Sequence, residues 1–502
     1  MAEGAIARPT TSGPLTERGR VEAMDVARGF ALLGIFCVNI ECFQNIFAEL
    51  AEHRPPAGPM SAVISHYFVT IFCQGKFYTL FSMLFGMGLV LQRGRAVEAG
   101  RNFNAMYLRR LAALFLIGLG HALLLWYGDI LFIYSIVGVL LFLCSGFRAK
   151  TLAIIGGTVL LVSTLIGTAM MGLMLAGQNA GGAAKVETPA AVSTDGGTPD
   201  TSAAPAQDAA PAAGDTAKPD AATTDAAAQG ASPTAAPAEA KGEDWGGFEK
   251  TPAGRVMADF ANQGERPSEI MKEAARDNKP PFGTSLWREA ETEAFRDGPY
   301  SQAFAFRAMI WAFIVVIMLF GFGWSVVAMF FLGAALGKWN ILGREHRKWH
   351  VRFALMGLLV GLPMSVAAAL IPAYAHGNTG AMMAMGLMSF IGQPAMALGY
   401  AGAMALLAYS NGFTLLKTLL ASTGRMALTN YLSQTTIATF VFYHWGLKQF
   451  GSWSHAEGLG LVFAVFVCQM LISTWWLKQF RFGPMEWLWR SATYWEWQPM
   501  RR

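Results

Sequence analysis

One histidine and one aspartate sit where acid–base chemistry would need them. His121 lies in the run Gly120-His121-Ala122-Leu123-Leu124-Leu125-Trp126-Tyr127-Gly128-Asp129, which closes an apolar stretch. An imidazole takes and returns a proton near neutral pH, and a nearby carboxylate can orient it. An interior histidine can equally serve as a plain hydrogen-bond donor between helices, and both roles are open to His121. His66 and His53 are lesser candidates, while His346, His350, His376, His444 and His455 fall in connections or near span ends.

Lys76, in Gln74-Gly75-Lys76-Phe77, interrupts the apolar run Ser61–Leu91. Either the helix breaks at Gly75, or Lys76 faces a cavity with an acidic partner, or the ammonium snorkels to the outer surface. Asp25 and Arg28, at i and i+3, can pair on one helical face or act as a local cap and anchor. Asn39 and Glu41 follow near the far end of the same run, Asn39 with the chemistry of interhelical glue. Asn430 and Gln434 share a face at i and i+4.

The elements that must carry these groups are set by composition. Of 502 residues, 54% are hydrophobic and only 14% charged, against about 25% charged in soluble domains. Such a chain cannot cover a core with polar surface, so lipid must do part of that work. Crossing a bilayer core takes about 20 apolar residues, and ten stretches approach that length. They are Phe30–Ala48, Ser61–Leu91, Leu111–Tyr127, Ile130–Phe147, Thr151–Ala176, Phe306–Leu336, Phe353–Ala373, Ala381–Ala408, Met426–Trp445 and Leu459–Leu477. The second and sixth are long enough to tilt or to carry a break. The expectation is an all-α polytopic membrane protein of about ten transmembrane helices.

Arginine and lysine gather in alternate connections: Arg93, Arg95, Arg101, Arg109 and Arg110, then Arg148 and Lys150, later Arg344, Arg347, Lys348 and Arg352, and finally Arg481 and Arg490. Positive connections stay cytoplasmic, which puts both termini there and the segment 177–301 outside. Within it, 181–241 is mostly Ala, Pro, Thr, Asp and Gly, a composition too poor in large apolar groups to offset chain entropy, so it is expected to be disordered. From Trp245 onward the composition favours short surface helices. The organisation is then a cytoplasmic tail (1–23), a first membrane half with the polar site (24–176), the external insert (177–301), a second membrane half (302–480) and a Trp-rich cytoplasmic tail (481–502). The first 21 residues lack the pattern of a signal peptide, so targeting is expected to rest on the first span.

The five cysteines form no CxxC pair and fall in apolar runs, which reads as packing, not a disulfide frame or metal site. No HExxH, GxSxG, Walker or dinucleotide fingerprint is present, and nothing points to nucleic acid or a permanently bound cofactor.

Several of these runs resemble one known family. Arg20 to Gly34, with Val38-Asn39-Ile40 after it, is similar to the opening motif of the YeiB-like bacterial inner-membrane proteins. Lys76 to Gly86 resembles their second motif, and His121 to Leu131 their third. Gly424 to Gln434 and Gly483 to Arg490 match the C-terminal half. The likeness covers the chain except its insert and implies a multi-pass protein of the bacterial inner membrane. The opening motif also resembles that of membrane acyltransferases such as the heparan glucosaminide N-acetyltransferases. Some sugar-modifying members carry a histidine where this chain has Asn39.

The resulting expectation is acyl transfer from a cytoplasmic acyl-CoA-type donor to a small-molecule or glycan acceptor at the outer face. His121 would be the base, Asp129 its orienting group, and Lys76 a charge to offset the oxyanion or donor. Asp25, Arg28, Asn39, Asn430 and Gln434 would contact substrate, with Arg109 and Arg110 drawing in the donor's phosphates. The rival expectation is a transporter with a proton or ion path through Lys76, His121 and Asp129.

Overall fold

A computed structural model describes residues 22–47, 58–100, 102–183, 250–261, 268–277, 281–321, 323–374 and 378–502. Among them every regular element is helical. The chain divides into Met1–Gln178 with Gly246–Arg502, and Asn179–Trp245; of the second unit only the end of one helix, to Ala183, is described. The expected disorder of 181–241 otherwise lies outside the described residues, as do His53, His376, Arg101 and the tail before Glu22.

The first half consists of α1 (Glu22–Gln44), α2 (Met60–Phe68), α3 (Lys76–Glu98), α4 (Phe103–Leu124), α5 (Leu131–Cys144) and α6 (Ala149–Ala183). Three short helices follow where short surface helices were expected, α7 (Pro252–Ala261), α8 (Glu269–Asp277) and α9 (Ser285–Thr292), and each buries part of itself, at Val256, Ile270 and Ala290. The second half holds α10 (Tyr300–Phe320), α11 (Gly323–Lys338), α12 (Arg347–Met356), α13 (Leu362–Tyr374), α14 (Thr379–Tyr409), α15 (Thr414–Arg425), α16 (Ala427–Phe442), α17 (His455–Gln479) and α18 (Pro484–Tyr494).

Eight helical stretches among the described residues are long and apolar enough to cross a membrane, and α5 and α11 are shorter apolar helices. Their outward faces carry bare large side chains, such as Leu116, Leu143, Ile154 and Leu359. Water would penalise so much exposed apolar surface, whereas hydrocarbon solvates it. The chain is a multi-pass membrane protein.

Both long apolar runs break. In Ser61–Leu91 the helix loosens into a π turn at Val69–Cys73 and stops at Gly75, whose φ of +81° suits a residue without a side chain. Of the three placements open to Lys76, the break at Gly75 is the one found. The run Phe306–Leu336 likewise divides into α10 and α11, because the backbone turns away at Gly321.

α1 is the hub, packed against α3, α14, α15, α16 and α17. Its contact with α15 is backbone against backbone. A side chain at Gly29 would strike the Leu420 carbonyl, and one at Gly424 the Asp25 carbonyl. Small residues let helices close together in lipid, where packing rather than water exclusion drives association. This crossing sets Gly424 against Asp25, in the first turn of α1. Asn430 and Gln434, expected near substrate, instead tie α16 to α17: Asn430 Nδ2 donates to Ser473 Oγ at 3.0 Å, and Gln434 Nε2 to Gln469 Oε1 at 2.9 Å. Cys37 and Cys73 are buried as expected, but Cys468 lies on the exposed face of α17.

Candidate functional site

α5 has 14 residues, about 21 Å at 1.5 Å per residue, too short for a hydrocarbon core of roughly 30 Å. α4, with 22 residues, is long enough to cross, so α5 is the short arm of their hairpin, whose turn buries Trp126, Tyr127 and Asp129. There the backbone must satisfy its polar groups internally, and Asp129 does part of that work. Its Oδ1 accepts the amide of Phe132 at 2.7 Å, in the first turn of α5. Its Oδ2 lies 2.7 Å from His121 Nδ1, and the other imidazole nitrogen, Nε2, is 2.9 Å from Thr435 Oγ1 on α16. All three residues are buried. With the carboxylate on Nδ1, a neutral ring keeps its proton there and presents the Nε2 lone pair to the threonine hydroxyl. The arrangement is carboxylate, imidazole, hydroxyl in line.

Gly118 makes this fit possible. A side chain there would run into the Phe132 amide and come within 2.9 Å of Asp129 Oδ1.

Tyr431, one turn before Thr435, has its ring 5.2 Å from that of His121. The same tyrosine lines a cavity of about 260 Å³ framed by α1, α3, α4, α5, α15, α16 and α18. The lining changes character along its helices. On α1 it runs from Asp25 and Arg28 to Leu32 and Ile35, on α4 from Arg110 to Leu114, and on α3 back from Arg95 to Phe81. One end is thus charged and the other apolar, with Ile130 and Tyr431 in the wall.

Six arginines face this cavity, Arg28, Arg95, Arg110, Arg425, Arg481 and Arg490, against two acidic residues, Asp25 and Glu486. Both acids are already engaged. Asp25 Oδ1 accepts from Arg28 at 3.0 Å. Glu486 caps α16, its Oε1 accepting the amides of Leu428 at 2.6 Å and Thr429 at 3.0 Å. Burial pushes the Glu486 carboxyl above its usual range, against the pull of these donors. Arg110 stacks over Trp489, 3.6 Å from the ring centroid, and Trp489 Nε1 donates to the Arg110 carbonyl at 2.9 Å. α18, in the Trp-rich tail, forms part of the cavity wall. The cavity carries excess positive charge from planar, forked donors, the chemistry that grips phosphate.

The structure thus unites His121 with Asp129, and Asp25, Arg28 and Arg110 around one cavity. Arg109 is exposed and faces away from the lining, and Asn39 is half-buried and also outside it. Lys76 hydrogen-bonds neither His121 nor Asp129; its Nζ donates to the Thr70 carbonyl at 2.7 Å, across the break after α2. Sequence reasoning missed Thr435, although its place at i+4 from Tyr431 was a usable signal. Glu486 and Trp489 were quoted only for their motif, and Arg490 only for its motif and its charge, because local sequence does not say which cavity a terminal helix will cover.

Residues 336–496 match the family model described as "Protein of unknown function (DUF418)", a span that includes α16 with Tyr431 and Thr435. The chain is 26% identical to the "Uncharacterized protein YxaH" of Bacillus subtilis (strain 168), over 97% of this chain and 98% of that one. It is 34% identical to the "Uncharacterized protein YeiB" of Escherichia coli (strain K12), over 34% of this chain and 45% of the relative. A match at 36% identity to the "Uncharacterized 39.9 kDa protein in amylase 3'region" of Bacillus acidopullulyticus covers 26% of this chain and 35% of that one. No solved structure matches. The YeiB-like resemblance read from the motifs stands, and none of these matches names an activity.

Proposed function

We propose that this membrane protein is an acyltransferase, taking an acyl group from an acyl-CoA-type donor on the cytoplasmic side and passing it to a small-molecule or glycan acceptor at the outer face. The observation that carries the reading is the single cavity with six arginines at one end and, in its wall, Tyr431 against the His121 ring. A donor of this class has the same polarity: several phosphates, then a thioester and an apolar chain. Arg28, Arg110 and Arg490 hold the phosphates, and Ile35, Phe81, Leu114 and Ile130 receive the acyl end. The arginine-bearing end is the one that the charge distribution along the sequence puts in the cytoplasm.

His121 is the general base in this reading. Asp129 holds its proton at Nδ1, leaving Nε2 to accept a proton from the attacking hydroxyl or amine as the new acyl bond forms. The buried setting keeps water from competing for the thioester. Lys76 serves the backbone, closing the break between α2 and α3.

The test uses the full chain purified in detergent or vesicles, with radiolabelled acetyl-CoA and palmitoyl-CoA as probes and a cell-envelope extract as the acceptor source. Wild-type protein is expected to release free thiol and move label to the envelope fraction. His121→Ala, at unchanged melting temperature, should lose about 10²–10⁴ in rate. Thiol release by a well-folded His121→Ala protein at the wild-type rate would remove the assignment.

A further inference from the structure

We infer that Thr435 is the acyl-accepting nucleophile, so that transfer proceeds through a covalent threonine ester. The inference rests on the acyl-transfer reading and names a residue and an intermediate within that site. Threonine hydroxyls are weak nucleophiles unless a base lies within hydrogen-bond reach and is itself oriented by a third group. That set is present here: Oγ1 at 2.9 Å from His121 Nε2, and Nδ1 at 2.7 Å from Asp129 Oδ2.

Two further observations favour a chemical role over simple satisfaction of the imidazole. The only other hydrogen bond Thr435 Oγ1 makes among the described residues is a long one, 3.5 Å to the Tyr431 carbonyl. With the imidazole proton on Nδ1, the Thr435 hydroxyl has a shorter acceptor in His121 Nε2 than in the helix backbone, whereas Thr439 donates to the Thr435 carbonyl at 2.9 Å. Secondly, the indole N–H of Trp126 is buried without a hydrogen-bond partner among the described residues, and its ring lies 6.4 Å from that of His121. An unspent buried donor costs stability, and one in the surroundings of His121 is available to a developing oxyanion.

The chemistry balances without a co-reactant. Thr435 Oγ attacks the thioester carbonyl carbon, its proton passing to His121 Nε2. The O–C bond forms, the C–S bond breaks, and the proton goes on to the departing sulfur as free thiol. In the second half the acceptor hydroxyl or amine gives its proton to Nε2, attacks the ester carbon and displaces Thr435 Oγ, which takes that proton back. Tyr431 stands between the cavity and His121, so its ring must swing aside for the thioester to reach Oγ.

Because the first half needs no acceptor, it can be observed alone. Full-length protein is mixed with acetyl-CoA or palmitoyl-CoA without envelope extract, and thiol release and intact protein mass are followed. The expected result is a burst of about one thiol per chain, with the acyl mass on the peptide bearing Thr435. Being an oxygen ester, the adduct should survive neutral hydroxylamine, which strips thioesters from cysteine. Thr435→Ser should retain the adduct, whereas Thr435→Val should lose it and lower transfer at least about a hundredfold. Label transfer to the envelope fraction with no adduct on the wild-type chain, or with Thr435→Val within threefold of wild type, would overturn the inference and leave acyl transfer standing. Absence of both thiol release and label transfer would bring down the acyl-transfer reading, and this inference with it.

Discussion

Replacing Asp129 by asparagine separates tautomer control from helix capping. In the native protein the two carboxylate oxygens do different jobs: Oδ1 accepts the Phe132 amide at 2.7 Å and Oδ2 faces His121 Nδ1 at 2.7 Å. Asparagine keeps one oxygen, and the Phe132 amide can bond only to that atom. Its amide NH₂ then faces Nδ1 and donates to it, which drives the imidazole proton to Nε2. His121 would present a donor to Thr435 in place of a lone pair, and could no longer act as the base. A wrong tautomer of this kind costs about 10⁴ in a serine-protease triad, and loss of general-base catalysis alone about 10²–10⁴. The expected rise in barrier is therefore about 3–5 kcal/mol. Stability should move little, since asparagine caps helices about as well as aspartate. Thiol release from acyl-CoA by Asp129→Asn, set beside its melting curve in detergent, measures both quantities. Activity above a tenth of wild type in a normally folded variant would show that Asp129 is a cap and not an orienting group.

Arg110→Ala should raise the KM for acyl-CoA by about tenfold or more, the scale of a lost charge-assisted hydrogen bond; Arg352→Ala, on the exposed face of α12, should leave it unchanged. A KM equally indifferent to both substitutions would argue against donor binding in the arginine cavity. Gly118→Ala should destabilise the protein by about 1–3 kcal/mol through overpacking between α4 and α5, and should lose activity beyond its loss of folded protein; a melting temperature equal to wild type would mean that the hairpin yields. Reporter fusions after Gly100, Gly343 and Arg502 should read cytoplasmic and one within 206–235 external; an external signal at Gly100 would reverse the assigned orientation.

Much of the first half was legible because its signals are local. Apolar run length identifies helices in a bilayer, where each segment must satisfy its own backbone. The pairs Asp25–Arg28 and His121–Asp129 are close in sequence, joined by one helical turn and by one hairpin respectively. The break at Gly75 was among the placements open to Lys76, since a glycine beside a charge inside an apolar run offers few others. Asn430 and Gln434 were correctly placed on one face, but a face does not name its partner, and they bond α17 instead of lining the cavity.

What the sequence determined by itself is the solvent of this protein and the inventory of its groups: a helical chain for lipid, an imidazole eight residues from a carboxylate, and arginines gathered at one end of the helices. Only the tertiary structure decided which of those groups share a cavity. Thr435 reaches His121 across 314 residues of chain, and Trp489 covers Arg110 across 379. Such encounters depend on how α1 crosses α15 at Gly29 and Gly424 and on how far α5 falls short of the membrane's thickness. Packing of whole helices in lipid sets both, through shape and close approach summed over many small contacts, and no short window of residues encodes that sum.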